Sequence, residues 1–125
     1  NMALLRRPAD LDEATWLSRW HGSHTQVAID TQSTFGYVQN YVVRGLTPDA
    51  PALSAIVEEQ FPIEAVGSLH AFFGAADDAD LSDRMQKMVA STSSFGASTN
   101  IDAVPTSRYC YRSPFRADVA SRPTR

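Results

Sequence analysis

Cysteine is nearly absent from this sequence: Cys110 is the only one in 125 residues. A single thiol excludes an internal disulfide framework and a cysteine-based zinc site, and it points toward a reducing compartment. Lysine is as scarce, with Lys87 alone among eleven basic residues; so wide a bias toward arginine reflects genome composition rather than a site. Neither sign of charge dominates. Eleven Lys plus Arg against fourteen Asp plus Glu leave a formal charge of −3, without the basic surface that binding to a phosphate backbone requires. No apolar run approaches the roughly 20 residues of a membrane span, and no charged segment leads into an apolar signal region. The expectation is a cytoplasmic chain with neither a membrane nor a nucleic-acid partner. A Gly-rich phosphate loop and a nucleophile elbow are both missing. ATP, NAD and flavin chemistry therefore have no support in the sequence, and no cofactor is expected. There is no internal repeat.

What is present is a core. Hydrophobic residues make up 43% and aromatics 10%, too much for a disordered chain. The length suits one domain, which at this size buries roughly two thirds of its unfolded surface. Asn1 ahead of Met2 reads as a tag remnant or an internal cut and is left out of the fold; the expected domain spans 2–115, with a polar tail over 116–125.

Met2 to Arg6 reads as a strand ended by Pro8, since proline restrains its predecessor and cannot donate to a ladder. Asp10, with Glu13 three residues on, has the capping-box spacing and opens a helix. On it Trp16, Trp20, His24 and Val27 form one stripe, bordered by Leu17 and His21. Gly22 and Ser23 weaken its last turns. Thr34 to Arg44 is rich in β-branched and aromatic residues and reads as the second strand. Phe35, Tyr37, Gln39, Tyr41 and Val43 fall on one face and Gly36, Val38, Asn40 and Val42 on the other. Leu53 to Gln60 is the third strand, with Ile56, Glu58 and Gln60 opposed to Ala55, Val57, Glu59 and Phe61.

Pro62 suits the first turn of a helix whose inward stripe is Ile63, Val66, Leu69, His70 and Phe73, closed by Gly74. Asp80 caps a further helical stretch with Leu81, Met85, Met88 and Val89 inward. Ser91 to Asn100 is a Ser/Thr/Gly loop, and Ile101 to Arg112, carrying Tyr109, Cys110 and Tyr111, is the last strand.

The order β-α-β-β-α-β is the ferredoxin-like split βαβ arrangement: an α+β fold with one antiparallel sheet and helices on one face. The other face is bare. Phe35, Tyr37, Tyr41, Ile56 and Tyr109 or Tyr111 are expected to leave it apolar, and so large a patch implies a partner or a ligand. Two such sheets packed face to face cover each other, giving a homodimer of about 27 kDa.

These residues resemble a known family. Leu4-Leu5-Arg6-Arg7-Pro8, then Trp16-x3-Trp20-x3-His24 and Val27, is similar to the start of the EthD family of dimeric α/β-barrel proteins. That family pairs a strand and Arg-x-Pro with an aromatic-x3-Trp-x3-His helix. Gly36 to Val42 looks like its second strand and Ser54 to Phe61 like its third. The sequence departs from the family at Tyr41 (commonly His), Gln26 (Pro), Ser54 (Asp) and Gln60 (Trp). The resemblance covers about 90 to 100 residues and implies a homodimer with a cleft in each subunit. Relatives include a protein tied to ethyl tert-butyl ether degradation and fungal proteins acting on polyketide-derived anthraquinones.

The expected chemistry follows from the candidate residues. His24 is the candidate catalytic residue, since imidazole titrates near neutrality and serves as acid or base; its alternative is a half-buried histidine bonded to backbone. Trp20 belongs to the core or borders a cavity. Tyr37 and Tyr41, two apart in a strand and with Gln39 between them, share a face and either orient a planar oxygenated ligand or pack an interface. Glu58 either pairs with Arg44, Arg108 or Arg112 or acts as an acid of raised pKa. Cys110 reads as an inert thiol and Met85 and Met88 as core. His21 and His24 lack a third ligand, so no metal site is expected. The reading is a small cofactor-independent enzyme acting on an apolar aromatic or polyketide-like molecule by proton transfer with decarboxylation, cyclisation or oxygenation. One alternative is a non-catalytic binder or accessory protein on the same barrel. The other is a heme-handling barrel with His24 or His21 as axial ligand.

Overall fold

The computed structural model describes residues 1–109 and Tyr111. Cys110, Arg112 and the expected tail over 116–125 lie outside the described residues. Four strands, β1 (Met2–Leu5), β2 (Gly36–Tyr41), β3 (Ala55–Gln60) and β4 (Ile101–Val104), form one antiparallel sheet in the order β2-β3-β1-β4. β3 lies between β1 and β2, so the helical connection from β1 must cross over it, which is the split βαβ topology and consistent with a ferredoxin-like α+β class.

That connection begins with α1 (Glu13–Leu17), continues as a π-helical segment (Ser18–His24) and ends with α2 (Thr25–Thr31). The backbone stays right-handed helical at the junctions Ser18, His24 and Thr25, so the three run as one helix. Its N-cap is Asp12, whose carboxylate accepts from the Thr15 N–H at 2.8 Å; this corrects the Asp10–Glu13 capping box. Thr15 Oγ1 donates to the same carboxylate at 2.7 Å, and these bonds hold the Asp12 pKa down. Gly22 and Ser23 do not end the helix but lie in the π segment, where bonds close i→i−5, as from Thr25 N–H to Trp20 O. The wider turn keeps Trp16, Trp20, His24 and Ala28 buried in line at a spacing of four, followed by Thr31; Val27 is only half-buried.

The core lies between this helix and one sheet face. Trp16, Trp20 and Phe95 are fully buried against Ala3, Leu5, Ala55 and Val57. Alanines on the sheet leave room for the indoles, which meet at 5.0 Å between centroids, while Phe95 meets Trp16 edge-on at 6.4 Å. Each large aromatic contributes roughly 4–6 kcal/mol of gross burial.

The register decides which residues face this core. Tyr37 lies opposite Glu59, Gln39 opposite Val57 and Tyr41 opposite Ala55, while Ala3 lies opposite Val57 and Leu5 opposite Ala55. Directly opposed residues share a face. Tyr37, Gln39 and Tyr41 therefore lie on the helix-covered side, so the expectation that Tyr37 and Tyr41 leave the bare face apolar is overturned, while Ile56 does stand on that face. The bare face carries two rows instead: Val38, Glu58, Met2 and Val104, then Asn40, Ile56, Leu4 and Asp102.

Other elements depart from the expected pattern. The second helical region is a 3-10 turn (Ile63–Val66) and then α3 (Leu69–Phe73). Ile63, Val66 and Leu69 are exposed and only Phe73 is buried, so the inward stripe is not formed. Gly74, at φ 61°, does close α3. Helix α4 (Asp78–Ser94) is capped by Asp77, not Asp80, and runs on through Ser91 to Ser94, residues expected to be loop; within it Thr92 Oγ1 donates to Met88 O at 3.0 Å. Met85 and Val89 face solvent while Leu81 and Met88 are half-buried. On the half-buried side, Arg84 donates to Asp80 at 2.8 Å and to Phe73 O at 3.0 Å, tying α4 to α3. Strand β4 ends before Pro105, so Tyr109 and Tyr111 are outside it and exposed.

Candidate functional site

The expected site residues separate into three places. The first is the helix–sheet interface. His24 is 8% exposed, its ring 4.8 Å from that of Phe95 and its Nδ1 2.9 Å from Ser91 Oγ on α4. Loss of hydration lowers its pKa to about 4, so the imidazole is neutral at pH 7. Trp20, fully buried beside it, packs against the His21 ring, tilted by 39° at 4.3 Å between centroids. Across from the helix, Gln39 Nε2 donates to Thr25 Oγ1 at 3.1 Å, and Thr25 Oγ1 donates to Trp20 O at 3.0 Å. Burial and the Glu59 carboxylate raise the Tyr37 phenol, against a smaller opposing pull from Trp20 and Gln39. The Trp20 indole N–H approaches that phenol without reaching hydrogen-bond geometry and has no partner among the described residues. Trp20, His24, Tyr37 and Gln39 are thus brought to one interface.

The second place is a niche at the end of the sheet, of about 130 Å³, lined by Arg7, Glu13, Trp16, Tyr41, Val42, Leu53 and Ser54. Tyr41 lies here, donating to Glu13 Oε1 at 2.6 Å; that bond raises its pKa, loss of hydration and the Glu13 charge add to it, and the Arg7 charge opposes them. Arg7 N–H donates to Ser54 Oγ at 2.8 Å, and its guanidinium to Leu11 O. Two larger clefts lie elsewhere. One of about 390 Å³ is walled by Asp10, Arg19, Ser93, Ser98 and Asn100 among others, and one of about 580 Å³ runs along Leu81, Met85 and Val89 on the outer face of α4. His24 lines none of these three.

Glu58 is in the third place, the bare face, where it accepts from Asn40 Nδ2 at 3.0 Å. Its neighbour Glu59 is the buried carboxylate, 9% exposed. Asn1 Nδ2 donates to its Oε2 at 2.9 Å, and the Gln32 amide, with nitrogen turned inward, donates to its Oε1 at 3.1 Å. Burial nevertheless raises its pKa. Alternation with Ala55 and Val57 was the signal that placed Glu59 inside. Asn1, set aside in the sequence reading, contacts it. Ser91, too, was missed: it lies 67 residues from His24, and no local pattern links them.

Among the described residues no three His, Cys, Asp or Glu side chains come close enough to hold a metal ion, and no helix is long and apolar enough to cross a membrane. No protein-family model matches this chain, and no curated protein matches it. The likeness to the EthD family rests on the residues quoted for it.

Proposed function

We propose that this chain is an EthD-like protein that pairs through its bare sheet face into a dimeric α/β barrel and binds an apolar, aromatic or polyketide-like small molecule. The pairing is supported by the β2-β3-β1-β4 sheet with its core on one side only. Met2, Leu4, Val38, Ile56 and Val104 stand on the opposite side, where Val38 and Val104 are 44% and 48% exposed.

Between binding and turnover, the state of His24 supports binding. An acid or base must reach the proton that it moves. His24 is buried, engaged by Ser91 and absent from the walls of the clefts described. A conjugate acid near pKa 4 also makes it a weak base. The geometry therefore favours the binder, with His24 as a packed neutral group. The enzyme reading keeps His24 as acid–base in cofactor-free proton transfer, and it requires α4 to move Ser91 and Phe95 away.

The test is titration with a hydroxyanthraquinone, followed by tryptophan fluorescence and by the absorption of the compound over time. Binding with an unchanged spectrum is expected. A time-dependent spectral change that His24→Ala abolishes would establish the enzyme instead, and absence of binding would remove this ligand class.

A further inference from the structure

The outer face of α4 is apolar and bears no charge past its first residue. Its groove, of about 580 Å³, runs from Asp78 along Leu81, Met85 and Val89, with Ser82 and Gln86 beside them. Met85 and Val89 are 37% and 58% exposed. The solvent side of a surface helix is ordinarily charged or polar. Here Asp83 and Lys87 pair with each other at 2.6 Å and do not line the groove. An exposed apolar stripe of this kind marks an interaction surface, and its spacing of four suits a segment laid along the helix. Charge and chain course say which segment. Residues 1–111 hold thirteen acidic side chains against seven basic ones, whereas residues 112–125 hold Arg112, Arg116, Arg122 and Arg125 against Asp118 alone. The acids gather at the start of α4, where Asp77 and Asp78 are exposed. Asp78 Oδ1 meets His70 Nε2 at 3.0 Å, and its side chain is otherwise open to solvent. Glu58 and Val104 both lie opposite Met2. The chain therefore leaves β4 at the end of the sheet from which β3 leads into α3 and α4. Fourteen residues beyond Tyr111 reach up to about 46 Å, more than the roughly 25 Å of a 17-residue helix.

We propose that the outer face of α4 is the docking surface for the chain's own residues 112–125. Phe115 and Val119, four apart in the sequence, set their apolar side chains against Leu81, Met85 and Val89. Arg112 and Arg116, nearest the point of exit, stand beside Asp77 and Asp78, where opposite charges choose this end of the helix. The apolar contact supplies the binding and the charges supply its direction. Neither the bare sheet face nor His24 enters this inference, so it stands apart from the barrel and from the ligand.

The experiment places a nitroxide on the full chain at Ser121→Cys, with Cys110→Ser to keep the label unique, and reads the methionine methyl groups by NMR. Met85 lies in the groove and Met2 on the bare face, so a docked segment broadens Met85 severalfold more than Met2. Phe115→Ser with Val119→Ser removes that difference. Asp78→Asn reduces it, as does about 1 M NaCl, which screens charges beyond about 3 Å. Unchanged Trp16 and Trp20 indole resonances show that each variant is folded. Equal broadening of Met85 and Met2 in the parent, or a difference that survives the paired serine substitutions, would overturn the proposal. A difference indifferent to both Asp78→Asn and salt would overturn its charge basis. In a mixture with the nitroxide and the observed methyls on different copies, Met85 stays sharp; broadening there would give the face to a second copy and overturn docking within one chain.

Discussion

Replacing His24 by asparagine separates a packed histidine from a working one through the pH dependence of stability. In the folded chain its pKa is about 4 and burial is the cause; unfolded, it returns to about 6.5. The protonated form thus prefers the unfolded state. The penalty is absent well above pH 6.5, grows as pH falls through the window from 6.5 to 4, and levels off below it. At its full extent it is about 3 kcal/mol, and at pH 5.5 about 1 kcal/mol. Because 8% exposure leaves little solvent to screen the ring, the conversion applies with little discount. Asparagine preserves a polar atom for Ser91 and does not titrate. Urea unfolding at pH 7.5 and 5.5 should therefore show the parent losing about 1 kcal/mol more than the variant over that interval. Parallel losses in the two proteins, or an NMR titration placing His24 near 6.5, would refute a buried neutral imidazole and reopen the acid–base role.

Further outcomes follow from the packing. Phe95→Ala removes the ring shared by Trp16 and His24 and should cost about 3–5 kcal/mol, read as a lower urea midpoint. Gly96 sits at φ 80°, and a Cβ there would come within 2.1 Å of the Pro8 ring; Gly96→Ala should cost about 2 kcal/mol or more. Gly67→Ala, with nothing within 4 Å, should stay within about 0.5 kcal/mol of the parent. Asp12→Ala removes the cap of α1 and should cost about 1 kcal/mol, whereas Asp10→Ala should not, which thermal unfolding distinguishes.

Local signals in the sequence carried the element order. The first strand falls where it was read, ending at Leu5 ahead of Pro8, the Trp16–Trp20–His24 stripe faces the core, and Gly74 closes α3 in the left-handed region that glycine favours. What local pattern could not supply was which side of a strand turns inward. Alternation sorts Tyr37, Gln39 and Tyr41 from Val38 and Asn40, but both sets are plausible core; only the register against Ala55 and Val57 places the tyrosines under the helix. The same gap exchanged Glu58 for Glu59, although the alanine and valine on either side of the pattern favoured Glu59. In α4 the apolar spacing of Leu81, Met85, Met88 and Val89 suggested an inward stripe; Leu81 and Met88 are half-buried, but Met85 and Val89 face solvent and Arg84 turns toward the protein, where it meets carbonyls from α2 and α3. Contacts at long separation, such as His24 with Ser91, leave no trace in any window of sequence.

The most direct measurement of the whole account is molar mass by light scattering, made on the parent chain and on Val38→Arg. Val38 is 44% exposed on the bare face, so arginine there is tolerated by the folded protomer and repelled only by a facing sheet. The barrel account predicts about 27 kDa for the parent, twice the 13.7 kDa chain, and 13.7 kDa for a folded Val38→Arg. A parent chain that runs as a folded monomer, or a Val38→Arg variant that remains fully dimeric, would contradict pairing through that face.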